Sequence, residues 1–216
     1  MQTIPASPQT KRQGGYTIIE LGIALTIIAV LIVAGLAGVT TVLNNSKANG
    51  QIEESGIVLA KLQSTLTSTS ASGLTTAIAV GSSYFPTSRV SGTGSNATVA
   101  NKFNGSEFVS SNTIALTSTE GMVAAANVGA IYTITGVPKA VCANIASSLA
   151  TLANAAWVYN ASSINEISSI NLANFSVATP TAGSQIKAPG AQVQALSVGR
   201  QCNLGDTANL AFFLRP

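Results

Sequence analysis

Gly14-Gly15-Tyr16-Thr17-Ile18-Ile19-Glu20-Leu21 opens the most apolar run in this chain. From Leu21 to Val39 nearly every residue is apolar, and no charge occurs between Leu21 and Ser46. At 1.5 Å per residue the Leu21 to Val39 stretch makes a helix about 28 Å long, enough to cross the hydrocarbon core of a bilayer. Residues Met1 to Gly15 are polar, with Pro5 and Pro8 and a basic pair at Lys11-Arg12. That pair keeps the N-terminal side in the cytoplasm by the positive-inside rule and sends the rest of the chain across the membrane.

Three readings of this start compete. A secretory signal would be cut near Ala34-Gly35, where small residues cluster, but its apolar region would be shorter and would not begin beside Glu20. A plain membrane anchor explains the length but not the carboxylate, which is costly at the edge of an apolar span unless it has a partner or water. The third is a precursor cut on the cytoplasmic side of the run, which leaves the apolar helix on the mature chain.

The whole composition agrees with an exported protein carrying such a helix. Only 8% of the 216 residues are charged and 46% are hydrophobic, with a mean hydropathy of +0.41; an ordinary soluble domain carries roughly 25% charged residues. Beyond the apolar run the chain is rich in Ser, Thr, Asn and Gly. The net charge is +3, but without Lys11 and Arg12 the balance is 8 basic to 7 acidic residues, so it gives no nucleic-acid signal. There is no histidine, which removes Ser-His-Asp and Cys-His catalysis and imidazole metal sites. No nucleophile and base can be paired, and no cofactor or metal is expected. Cys142 and Cys202 lie too far apart for metal-ligand spacing. In an exported domain they read either as one structural disulfide or as two buried thiols.

The run Lys11-Arg12-Gln13-Gly14-Gly15-Tyr16-Thr17-Ile18-Ile19-Glu20-Leu21 resembles the processing site of type IV prepilins. The resemblance implies cleavage after Gly15 by a prepilin peptidase and a new N-terminus at Tyr16, usually N-methylated in that family. It also implies a role for Glu20, the fifth residue of the mature chain, in assembly. The family usually has Phe or Met where this chain has Tyr16. Many of its members carry a helix-breaking proline where this chain has Ala37, flanked by Gly35 and Gly38. The physics favours the carry-over for Glu20: a carboxylate buried among packed apolar helices needs a cation, and the Tyr16 amine of a neighbouring copy supplies one.

After the apolar run, Ile52, Leu59, Leu62 and Leu66 recur near helical spacing, which predicts one helix past a weak break at Asn44-Asn45-Ser46 to an end between Thr67 and Gly73. Gly73 to Asn112 reads as loop; its Gly92 to Ala97 string lacks the strand and helix of a dinucleotide site. Strands are expected at Asn112 to Thr119, Ala130 to Thr135, Phe175 to Ala178, Val193 to Val198 and Ala208 to Leu214. A helix is expected from Pro138 to Leu152, burying Val141, Ile145, Leu149 and Leu152. Trp157 and Tyr159 read as packing residues.

Gly136-Val137-Pro138-Lys139-Ala140-Val141-Cys142 and Cys202-Asn203-Leu204-Gly205-Asp206-Thr207-Ala208-Asn209-Leu210-Ala211-Phe212 resemble the type IVb pilins, the group with the toxin-coregulated and conjugative thin-pilus pilins. This resemblance implies a bond between Cys142 and Cys202. The expected fold is α+β: a long N-terminal helix on an antiparallel sheet, with a second helix in the disulfide-closed C-terminal region. The expected division is a leader over 1–15, a transmembrane and filament-core helix over 16–43, and an exported domain over 44–216. The implied function is a structural subunit, the major pilin, of a type IVb-like pilus used in adhesion, aggregation or conjugative contact. Its partners would be further copies of itself, the prepilin peptidase, the inner-membrane assembly platform, and host, bacterial or phage receptors, with no specific nucleic acid. It would wait in the inner membrane of a Gram-negative bacterium, N-terminus cytoplasmic, and end in an extracellular filament. The alternatives are a minor pilin, a type II secretion pseudopilin, and a DNA-binding competence pilin. The main pseudopilins bind calcium through acidic loops, whereas Glu107, Glu120, Glu166 and Asp206 are scattered. A competence pilin would need Arg89, Lys102, Lys139, Lys187 and Arg200 gathered on one surface.

Overall fold

A computed structural model describes residues 15, 17–68, 70–111, 116–118, 121–124, 127–160 and 185–216. The chain divides between Val42 and Leu43 into two compact units. Helix α1 (Ile18–Ser68) contributes to both. Its first turn is capped by Thr17: the hydroxyl accepts the Glu20 N–H at 3.3 Å, as an N-cap hydroxyl does, and the carbonyl accepts the Leu21 N–H at 3.1 Å. Asn44-Asn45-Ser46 does not interrupt it. These residues are poor helix formers, but three of them cost less than the hydrogen bonds that an interruption would forfeit.

In the first unit the described side chains of α1 up to Val42 are exposed. In the second, α1 buries Ala48, Gln51, Ser55, Val58, Leu59, Leu62 and Leu66, a stripe at three- and four-residue spacing. That stripe packs on a seven-stranded antiparallel sheet of order β1-β2-β3-β6-β9-β7-β8. Its strands are β1 (Val90–Ser91), β2 (Thr98–Ala100), β3 (Ser106–Ser111), β6 (Ala130–Pro138), β7 (Ala155–Asn160), β8 (Gln185–Lys187) and β9 (Thr207–Leu214). A separate antiparallel pair is formed by β4 (Leu116–Ser118) and β5 (Gly121–Ala124).

The core lies between one face of the sheet and the helices that cover it, α1 and the two C-terminal helices described below. Tyr132, Ile134, Leu210, Phe212, Leu214, Ala156 and Val158 point into it. Alternation puts Ile131, Ala155, Trp157, Ala211 and Phe213 in a second cluster on the other face, with Tyr159 packed against it. Strand β6 holds an irregularity between Ile134 and Val137, so both of these odd- and even-numbered residues reach the same core. Gly136 takes φ +67° there, and its N–H is held by the Asn209 side-chain oxygen at 2.9 Å.

Helix α3 (Lys139–Ala150) follows β6, with Pro138 at its N-cap. It buries Val141, Cys142, Ile145, Ala146, Leu149 and Ala150. Leu152 departs from the expected stripe. The helix ends at Ala150, and Leu152 sits in the following turn, 50% exposed. The expected strand at Val193 to Val198 is also corrected: Ala195–Cys202 is a helix, α4, which buries Val198 and Cys202 four residues apart. The stretch read as loop between Gly73 and Asn112 contains helix α2 (Thr76–Gly81) and strands β1 to β3. The expected strand from Asn112 to Thr119 is described only at Leu116–Ser118, within β4. Phe175 to Ala178 lies outside the described residues.

Cys142 and Cys202 form a disulfide with a Cα–Cα distance of 5.7 Å, joining the first turn of α3 to the end of α4. The other end of α3 is held by Lys187 of β8. Its ammonium donates to the carbonyls of Ala150 at 2.9 Å and Ala153 at 2.7 Å. A cation there answers the partial negative charge of a helix C-terminus.

Candidate functional site: the start of an exposed apolar helix

The residues singled out near the N-terminus occupy the first turn of α1 and the chain just before it. Gly15 is exposed, Tyr16 lies outside the described residues, and Glu20 is exposed in the first turn. Lys11 and Arg12 also lie outside the described residues. An acidic side chain in a first turn faces the positive end of the helix dipole. Among the described residues Glu20 has no ion-pair partner within the chain.

Glu20 stands at the start of an almost wholly apolar surface, interrupted by Thr26 and, near its end, Thr40 and Thr41. Exposure runs from 87% at Ile18 to 68% at Val30 and 69% at Val33, and Leu36, Val39 and Val42 are also exposed. The helix is long and apolar enough to cross a membrane by length and composition, with a mean hydropathy of 2.6 over its most apolar window. Burying one Leu, Ile or Val side chain contributes roughly 1.5–3 kcal/mol. More than ten of them in one stretch form a surface far larger than a free-standing soluble domain tolerates. Lipid or neighbouring apolar helices must cover it. The glycines at 22, 35 and 38 are not small for the sake of contacts inside the subunit, since a Cβ at any of them would meet nothing within 4 Å.

The second unit holds a buried group of charged and polar side chains, which sequence reasoning missed. Glu107 is fully buried on β3, on the face against α1. Its carboxylate accepts Nη1 of Arg89 at 2.5 Å, Nε2 of Gln51 at 2.8 Å and the Tyr132 hydroxyl at 2.6 Å. Arg89 also meets Glu54 at 2.8 Å, and Glu54 meets Lys102 at 2.7 Å. Ser55 is bonded to Gln51 at 2.8 Å and to Tyr132 at 2.9 Å. Gly50 leaves room for the Lys102 stem, which a Cβ there would meet at 3.0 Å. Two carboxylates and two cations thus cancel inside the fold. Burial, and then the Glu107 carboxylate beside it, raises the Tyr132 phenol well above its usual value, so it stays protonated and donates. The available signal was parity: Glu107 shares its strand face with Val109, which packs in the core.

This cluster also bears on the rival readings. Arg89 and Lys102 are engaged with carboxylates and Lys187 with helix carbonyls. Of the five cations a DNA-binding surface would need, only Lys139 and Arg200 remain as exposed side chains. Glu107 is spent on Arg89, Gln51 and Tyr132, and Glu120 and Glu166 lie outside the described residues.

The arrangement of long helix and antiparallel sheet is similar to that of a type IVb pilin. The crystal structure of the type IVb pilin from Salmonella typhi matches with a TM-score of 0.51, at 14% sequence identity, over 78% of this chain and 99% of that one. No protein-family model matches the sequence, and comparison with curated proteins finds no match. The likeness is therefore one of fold.

Proposed function

We propose that this chain is the precursor of a structural pilus subunit of the type IVb kind, cut after Gly15 and polymerised through α1. The observation that carries the reading is the long exposed apolar stretch of α1, with Glu20 as its one carboxylate, in a chain that has a pilin fold. The prepilin peptidase removes the leader and frees the Tyr16 amine, which is then N-methylated. Glu20 of an incoming subunit pairs with that amine on its neighbour, so that neither charge is buried alone. The pair sets the axial register, while dispersion between the apolar helices supplies the cohesion. Before assembly the chain spans the inner membrane once, beside the assembly platform; afterwards it lies in an extracellular filament. Its role is structural rather than enzymatic, and its contacts with cells or phage come from the surface of the exported unit. The complete set of subunit features favours a major pilin over a minor pilin or a pseudopilin, and the engaged cations speak against the competence-pilin reading.

Electron microscopy of filaments sheared from the cell surface, with the subunit's N-terminus sequenced, tests this. Filaments whose subunit begins at Tyr16 are expected. A soluble monomer beginning near Ala34 would overturn the reading.

A further inference from the structure

We propose that the buried polar cluster around Glu107 is a shear clamp, which stops α1 from sliding along the sheet when the chain is pulled. The inference rests on the proposed function in one respect: in a filament held by its apolar helices, tension enters the exported unit through the backbone of α1 at Leu43.

The cluster spans the elements that such a pull would move apart. Gln51, Glu54 and Ser55 belong to α1; Glu107 and Tyr132 belong to β3 and β6. Arg89 follows the Pro86 turn and bridges the two sides, holding Glu54 of α1 at 2.8 Å and Glu107 of β3 at 2.5 Å. Lys102 adds a second tie, through its ammonium to Glu54 at 2.7 Å and its backbone N–H to the Gln51 side chain at 3.0 Å.

Two kinds of contact hold α1 to the sheet, and they answer a sliding force differently. Leu59, Leu62 and Leu66 pack by apolar contact, which is non-directional. When such a side chain slides, it exchanges one apolar neighbour for another, and the resistance per ångström is small. Hydrogen bonds weaken steeply once geometry departs from the ideal. A slip of one residue along α1 moves each side chain by about 1.5 Å and turns it by a quarter of the circle or more. The Glu107 carboxylate would then lose Gln51, and Arg89 would lose Glu54. The Glu107–Arg89 pair would be left buried without its hydrogen bonds from α1, an unfavourable state. A buried ion network adds little net stability compared with well-packed apolar side chains, and fixing register is its best-attested use. The clamp therefore predicts a large effect on resistance to force and a smaller one on equilibrium stability.

The test is constant-force pulling on the full-length chain in detergent, with handles at the N-terminus and at exposed Ser95. The lifetime before α1 leaves the sheet is read. Glu107→Gln and Leu59→Ala are compared after scaling each to its own shift in urea midpoint. Loss of a buried, hydrogen-bonded charge partner acts on the dissociation rate, so Glu107→Gln should shorten the scaled lifetime about tenfold more than Leu59→Ala. If Glu107→Gln fails to fold, Glu54→Gln, at a partly exposed site, makes the same comparison with an expected difference of about threefold. Equal scaled lifetimes for the charge and apolar variants would overturn the clamp. The experiment needs no filament, so failure of the clamp and failure of the pilus reading give different results.

Discussion

The two stretches of α1 share one helix and differ in what covers them. From Ile18 to Val42 the described side chains are nearly all apolar and all exposed, with Glu20 as the one charge. From Leu43 to Ser68 the helix carries Lys47, Glu53, Glu54 and Lys61, yet it buries a stripe that includes Gln51 and Ser55. The stretch with the more apolar sequence is thus the more exposed one within the subunit. Hydrophobicity alone does not mark a protein's own core. A stretch apolar on all sides is prepared for lipid or for other copies of itself, whereas one apolar stripe with polar flanks is prepared for a sheet.

Each half can be broken separately. The largest effect is expected from Glu20→Ala: sheared filaments should disappear from electron micrographs, while leader cleavage and the urea midpoint stay unchanged. Normal filaments from that variant would remove Glu20 from assembly. In the second unit, Cys142→Ser with Cys202→Ser should cost about 4 kcal/mol, because the bridge spans a sequence separation of 60 and constrains the unfolded chain. Urea unfolding with and without reductant measures it. Leu59→Ala, at a side chain 1% exposed, should cost about 3 kcal/mol by the same measurement, with assembly affected only through stability.

A smaller effect is expected at high pH. Burial raises the Tyr132 phenol, and it also pushes Tyr159 up. The folded state therefore holds these protons more tightly than the unfolded chain does. Their contribution is complete below the unfolded value of about 10 and falls as pH rises above it. Tyr132→Phe should flatten part of that decline in an alkaline unfolding series. The smallest effect is expected from Gly35→Ala, whose Cβ meets nothing within 4 Å. It should stabilise the helix by about 1 kcal/mol in micelles, read by circular dichroism. Any loss of filaments would then reflect packing between copies or a need for local melting during assembly.

What could be read from the sequence follows the same division. The apolar run, β6, α3 and β9 were legible because each repeats one period over many residues. The spacing of Gly15 and Glu20 was legible because it is local. Helix α4 was misread because Val193 and Val198 look strand-like and Gly199 weakens a helix interior; its burial of Val198 and Cys202 decides otherwise. Strand β3 was hidden by Glu107, a charge where strand patterning asks for an apolar residue. Its partners Gln51, Arg89 and Tyr132 are drawn from distant parts of the chain, so no local window contains the cluster. Leu152 kept the helical period, but the helix had already ended.

Lys187 has a further consequence, for what reduction does to the chain. Strand β8 begins at Gln185, beside β7, and two residues later Lys187 fastens it to the end of α3. The other end of α3 is fastened to α4 by the Cys142–Cys202 bond. A reductant opens the second fastening and leaves the first, so α3 keeps its hold on β8 when its hold on α4 is lost.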